Sequence, residues 1–158
     1  MDMFDNYLRR LYRGGRPNRS ARFQNRVSAV AFGAGIWPSR AGALQVRGRR
    51  SGHLITFPIV ITDHEGGRYL VSMLGEGANW VRNVRADAGR AVLRHGRREE
   101  VVLEEVPVEK RAPILQRYLQ IAPGGRPHIP VNRADPIEEF ERIAPDIPVF
   151  RISPRASR

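Results

Sequence analysis

The chain has 158 residues, an apolar fraction of 41% and a charged fraction of 27%, which suits one folded domain with its own core. It contains no Cys, so disulfide scaffolds, thiolate metal sites and thiol nucleophiles are excluded. The net charge is +11, and among 27 basic residues only Lys110 is a lysine. A GC-rich genome also favours Arg over Lys, so the distribution carries more than the total. Residues 1–51 hold eleven Arg against Asp2 and Asp5, whereas residues 52–158 hold sixteen basic and fourteen acidic groups. The excess is an N-terminal feature. It implies a phosphate, a polycarboxylate tail, an anionic membrane or nucleic acid nearby. The first apolar run, Val27 to Trp37, lies too deep for a signal peptide and is shorter than the ~20 residues of a membrane span. A cytoplasmic protein is expected.

In chain order, residues 3–13 predict a short amphipathic helix with Phe4, Leu8, Leu11 and Tyr12 on one side, stopped by Gly14 and Gly15. Asn18 or Ser20 caps a second helix over about 19–35. Residues 1–40 thus form a basic helical arm. It either packs on the main domain or acts as a detachable cover or membrane-surface element. From residue 43 the period changes to that of strands. Residues 43–47 and 54–62 are predicted strands, and Pro58 inside the second argues for a sheet edge or a bulge. A turn over 63–67 returns the chain as a partner strand over 68–74, followed by a helix over 75–87 with Trp80, Val81 and Val84 on one face. Residues 91–94 and 99–105 form another hairpin around a two-residue His95-Gly96 turn. Further on come a helix over about 109–121 burying Ile114, Leu115, Tyr118 and Leu119, a Pro/Gly-rich loop over 122–134, a short helix over 137–143 and a last strand over 149–152. Antiparallel hairpins dominate and no βαβ alternation occurs. The expected fold is therefore α+β, a small antiparallel β-barrel over residues 41–158 with helices packed outside and the N-terminal arm.

Nucleophilic catalysis finds no support, since no Gly-x-Ser-x-Gly elbow is present. The histidines His53, His64, His95 and His128 lack metal-ligand spacing, so no metal site is expected. The pairs Glu99-Glu100 and Glu104-Glu105 fit a solvated strand edge better than a carboxylate dyad, because adjacent strand residues point to opposite faces. The distinctive stretch is Gly48 to Asn83. Arg49, Arg50 and Ser51 sit between Gly48 and Gly52, a turn able to offer guanidinium forks and backbone N–H groups to a phosphate. Ser72, Met73, Asn79, Trp80, Arg82 and Asn83 lie where a strand gives way to a helix, with Asn79, Arg82 and Asn83 at i, i+3 and i+4. They make two walls of one anionic-cofactor site. A chain without an evident acid, base, nucleophile or metal fits an enzyme that borrows its chemistry from a cofactor.

The ordered set Gly48-Arg-Arg-Ser-Gly52, Pro58, Tyr69-Leu-Val-Ser-Met73, Asn79-Trp-Val-Arg-Asn83 and the hairpin over 90–98 resembles the deazaflavin-dependent nitroreductase family. The resemblance covers residues 40–105 well and extends more loosely to Arg151. It implies a split β-barrel shared with flavin reductases and pyridoxamine phosphate oxidases. It also implies a reductase passing a hydride from reduced coenzyme F-420 to a planar quinone, enone or nitroaromatic. Arg49, Arg50, Ser51 and Gly52, with the adjoining His53, Leu54 and Pro58, match the part holding the coenzyme's phosphate and glutamate tail. Ser72 and Met73 match the strand end beside the deazaflavin ring, and Asn79, Trp80, Arg82 and Asn83 match the closing helix. Trp80 fits core packing and ring contact equally. Trp37, Tyr118 and His128 are the candidate substrate-wall residues, and no side chain is required as a catalyst. The chain departs from its relatives at Ile55 and Met73, where some carry basic residues. It also lacks the C-terminal tyrosine cluster of nitroimidazole-reducing members, having only Tyr118 there. The competing readings are an FMN-binding split barrel and, less favoured for want of a stacking platform, an arginine-rich nucleic-acid module. Such barrels often pair as homodimers.

Overall fold

A computed structural model describes residues 40–122 and 129–156. The helices expected over 3–13 and 19–35, the arm they form, Trp37 and His128 lie outside the described residues. Seven strands, β1 (Ala41–Arg47), β2 (Leu54–Val60), β3 (Thr62–His64), β4 (Gly67–Val71), β5 (Arg90–Arg94), β6 (Arg98–Glu105) and β7 (Val149–Pro154), form one sheet in the order β2-β1-β5-β6-β7-β4-β3. All pairings are antiparallel. Among the described residues three α-helices accompany them: α1 (Asn79–Ala86), α2 (Ala112–Ile121) and α3 (Ile137–Ile143). Among the described residues no helix is long and apolar enough to cross a membrane.

The sheet is curled, and chain connectivity shows why. β2 and β3 lie at opposite edges of the sheet, yet only Ile61 separates them in the chain. In a flat sheet those edges would be about 29 Å apart. Three consecutive residues reach at most about 7 Å. The edges must therefore meet, and the sheet closes into a half-barrel of the expected split type.

The register lines up the apolar interior. Phe57 pairs with Leu44, Leu44 with Leu93, Leu103 with Ile152, and Leu70 with Phe150. These residues form one core cluster, onto which α1 packs Trp80, Val81 and Val84. Successive strand residues face opposite ways, so Val71 and Val149 serve a second cluster. There they meet Ile114, Leu115, Tyr118 and Leu119 of α2 and Phe140 and Ile143 of α3.

Several expectations are corrected. The strand expected over 54–62 is broken at Ile61, whose N–H donates to the Arg40 carbonyl at 2.7 Å. Consequently β2 pairs with β1, and only β3 pairs with β4. The run of β-branched residues hides this corner because closure, not a local breaker, makes it. The turn after β3 is only Glu65-Gly66, at φ 46° and 79°, with Asp63, His64 and Gly67 drawn into the strands. The β5–β6 turn has three residues rather than two, since Arg94 pairs with Arg98 across His95, Gly96 and Arg97. The helix expected from Gly75 is split by extended backbone at Ala78 into a 3-10 turn (Gly75–Gly77) and α1. β6 lies between β5 and β7, so its glutamates are not at an edge. Pro58 does lie on an edge strand, where its missing N–H costs no ladder bond.

Gly89 sits at φ +81°, and a Cβ there would lie 2.5 Å from the Leu103 carbonyl. Gly96 has φ +75° but open space around it. Urea unfolding should therefore show Gly89→Ala losing about 3 kcal/mol or more and Gly96→Ala only about 1 kcal/mol. Equal losses would contradict the close approach at Gly89.

Candidate functional site: an arginine-rich turn joined to a helix

The β1–β2 hairpin turns through Gly48–His53. The Gly48 N–H donates to the His53 carbonyl at 2.8 Å, and the Gly52 N–H to the Gly48 carbonyl at 2.9 Å. Gly52 takes φ +72°, which suits glycine. The Ser51 Oγ accepts from the His53 N–H at 3.1 Å, and a Cβ on Gly48 would approach that oxygen to 2.8 Å. The serine thus shapes its own turn, and a side chain at position 48 would crowd its hydroxyl. Arg47 Nη1 donates to the Gly52 carbonyl at 2.8 Å. Arg49, Arg50, Ser51, Gly52, His53 and Leu54 are all exposed.

The two walls meet through one side chain. Asn83 of α1 is buried, and its Oδ1 accepts from the Arg49 backbone N–H at 3.1 Å and from Arg49 Nη1 at 2.8 Å. Asn79 and Arg82, on the same helix, are exposed. Trp80 is core: its ring centroid is 6.1 Å from that of Phe57 and 5.4 Å from that of Phe150. Ser72 is fully buried, and its Oγ donates to the Gly75 carbonyl at 2.8 Å, so it shapes the strand end. Met73 is half-buried against the α2–α3 cluster. Ile55 is packed against the barrel core. Pro58 is buried, and Tyr118 is 3% exposed within the α2 cluster. The tyrosine is therefore packed into the core, not displayed on an open wall.

Elsewhere many arginines meet carboxylates, although Arg94, Arg97 and Arg151 do not among the described residues. Arg40 and Arg117 flank Asp63, Arg68 grips Glu99 through two bonds of 3.2 and 2.8 Å, and Arg85 binds both Glu76 and Glu105. At the turn the pattern breaks. Among the described residues Arg47, Arg49, Arg50 and Arg82 have no carboxylate partner. The N–H groups of Arg50 and Ser51 make no hydrogen bond there either. Four guanidinium groups and two open donors thus gather without a counter-charge on one turn and its helix, which is what a phosphate or carboxylate tail requires.

The family model for F-420H(2)-dependent quinone reductases matches residues 19–132. The chain belongs to that family. It is an oxidoreductase whose cofactor is coenzyme F-420. Among solved structures, an F-420-H2 dependent reductase superposes with a TM-score of 0.53 at 16% identity, covering 75% of this chain and 97% of that one. A putative pyridoxamine 5'-phosphate oxidase from Listeria innocua gives 0.50 at 11% identity over 75% of this chain and 86% of the other. A structure described as a domain-swapped dimer gives 0.52 at 15% identity over 94% and 95%. At these identities the likeness shows the fold alone, the split barrel. No curated protein matches the chain.

The residues of this reductase fit the coenzyme's anionic part, since the uncompensated turn supplies charge and open donors together. Among the described residues no group of His, Asp or Glu side chains could hold a metal ion. Several structural ion pairs are not legible from residue order, because their partners lie far apart in the chain. Arg111 is 5% exposed and donates to the carbonyls of Val106 at 2.8 Å, Ala144 at 3.0 Å and Ile147 at 3.2 Å, tying the start of α2 to the end of α3. The inward row of β6 reads Glu99, Val101, Leu103, Glu105, and each terminal carboxylate is met by arginine.

Hydrogen bonds from Arg68 hold the Glu99 carboxyl below its ordinary value of 4.5, against the opposing effect of burial. Glu76 is lowered in the same way by Arg85. A carboxyl whose folded pKa is depressed stabilises the fold above its unfolded pKa, and this is lost as pH falls through the folded value. The melting temperature should therefore drop as pH falls below about 4.5, and Glu99→Gln should flatten that drop. Identical acid limbs for the two proteins would exclude the Arg68–Glu99 pair as a source.

Proposed function

We propose that the Gly48–Gly52 turn holds the phosphate and the start of the acidic tail of coenzyme F-420, and that the reductase acts on a planar acceptor of the quinone class. The observation that carries this is the set of unneutralised guanidinium groups at Arg47, Arg49 and Arg50 beside the open N–H groups of Arg50 and Ser51. Arg49 and Arg50 supply charge-assisted donors, and Gly52 leaves room on its open side. Asn79 and Arg82, exposed one turn apart on α1, extend the polar surface. His53 and Leu54 flank it, Pro58 and Trp80 support it from the core, and Ser72 sets the strand end that presents Met73 to the ring.

Reduced coenzyme F-420, when bound, supplies the hydride. The chain's own task is to anchor the charged end, align a planar acceptor and exclude water. No side chain is needed as a nucleophile, and solvent serves as the proton source. Trp37 and His128 remain the proposed acceptor wall. Tyr118, being buried in the α2 cluster, has at most an indirect part in the proposal. Homodimer formation is the proposed assembly, supported by the likeness to a domain-swapped dimer. Contact of residues 1–37 with a membrane surface is a further proposal, which co-sedimentation with anionic liposomes tests directly.

Fluorescence titration of the purified protein with coenzyme F-420 and, separately, with FMN tests the main reading. F-420 should bind, and Arg49→Ala combined with Arg50→Ala should weaken it roughly 100-fold through loss of two charge-assisted contacts. Binding of FMN alone would overturn it in favour of an FMN split barrel.

A further inference from the structure

Asn83 is 4% exposed, and among the described residues its side chain accepts hydrogen bonds from Arg49 alone. Two N–H donors converge on one atom of its carboxamide, so that atom is the oxygen. Comparable arginines in this fold are held by acids: Arg68 by Glu99, Arg85 by Glu76, Arg90 by Asp87. An aspartate at position 83 would have the same reach and would bind the guanidinium more strongly. It would also cancel the charge. Arg49 is instead held by a neutral acceptor, which fixes both its backbone and its side chain and leaves its charge uncompensated.

We propose that Asn83 is a positioning residue, a neutral tether that orients the Arg49 guanidinium toward the anionic end of the coenzyme without neutralising it. This rests on the phosphate-holding role of the turn given above. Asn83 then acts through Arg49 and not by touching the coenzyme. It also couples the turn to α1 across 34 residues of chain, since the two bonds join elements that are otherwise separate in sequence.

The test uses the full chain as wild type, Asn83→Asp, Asn83→Ser, Arg49→Ala and the double variant of Asn83→Ser with Arg49→Ala. Each is melted without coenzyme and titrated with coenzyme F-420 at low and moderate salt. Asn83→Asp should keep the wild-type melting temperature or exceed it, because the hydrogen bonds survive. Its dissociation constant should nevertheless rise about tenfold, as expected for loss of one charge-assisted contact. Its binding should also be less sensitive to salt than that of the wild type. A purely structural asparagine would not separate stability from affinity in this way. In the Arg49→Ala background the neutral change Asn83→Ser should alter little, as a double-mutant cycle requires of a residue acting through Arg49. Where Asn83→Asp does not fold, Asn83→Ser is the second variant: it should weaken binding only when Arg49 is present. Wild-type affinity in Asn83→Asp or Asn83→Ser, with Arg49→Ala weakened, overturns the tether and leaves the phosphate site standing. Wild-type affinity in Arg49→Ala overturns both.

Discussion

The fold depends on one covalent constraint, the single residue Ile61 between strands at opposite edges of the sheet. With so little chain to span the gap, the sheet has no open form that keeps both pairings. Curling brings the inward rows of β1, β5, β6, β7 and β4 onto one another and buries Leu44, Leu93, Leu103, Phe150 and Leu70. α1 then seals this cluster with Trp80, Val81 and Val84. The same packing that buries the helix's apolar face delivers Asn83 to the β1–β2 turn. The candidate site is thus a consequence of closure, since the turn and the helix meet only because the sheet is curved.

Electrostatics divides the arginines into two populations. One set is structural. Arg111 replaces solvent for three buried carbonyls, and Arg68 and Arg85 meet the carboxylates that end the inward row of β6. Exposed pairs of this kind contribute little each, and their main effect is to fix which surfaces remain charged. A second set at the β1–β2 turn and α1, Arg47, Arg49, Arg50 and Arg82, has no carboxylate partner among the described residues, as is also true of Arg94, Arg97 and Arg151. A cluster of like charges costs free energy through self-repulsion unless a ligand offsets it. That cost marks the turn as a candidate anion-binding surface in a chain whose family uses coenzyme F-420.

The legibility of the sequence varied with the range of the interactions involved. Short-range features were readable: the Gly48–Gly52 turn, Pro58 on an edge, α2 with its four buried apolar residues, and α3 over residues 137–143. Turn lengths at Glu65-Gly66 and at His95–Arg97 were less so, because several glycine-bearing segments satisfy the same local rule and strand register chooses among them. The corner at Ile61 left no local trace, since isoleucine is as good a strand residue as its neighbours.

By itself, the sequence determined the β5–β6 hairpin, the helix faces, the absence of thiol chemistry and the arginine-rich turn. These depend on residue type and on spacings of a few residues, where backbone preference and side-chain period act directly. Only the tertiary structure decided that β2 pairs with β1, that Trp80 belongs to the core, that the Ser72 hydroxyl donates to Gly75, and that Asn83 holds Arg49. Most of those outcomes are set by closure of the barrel, which brings together groups whose separation along the chain no local rule can bridge. For Ser72 the decisive factor is burial, which obliges its hydroxyl to find a partner within the protein.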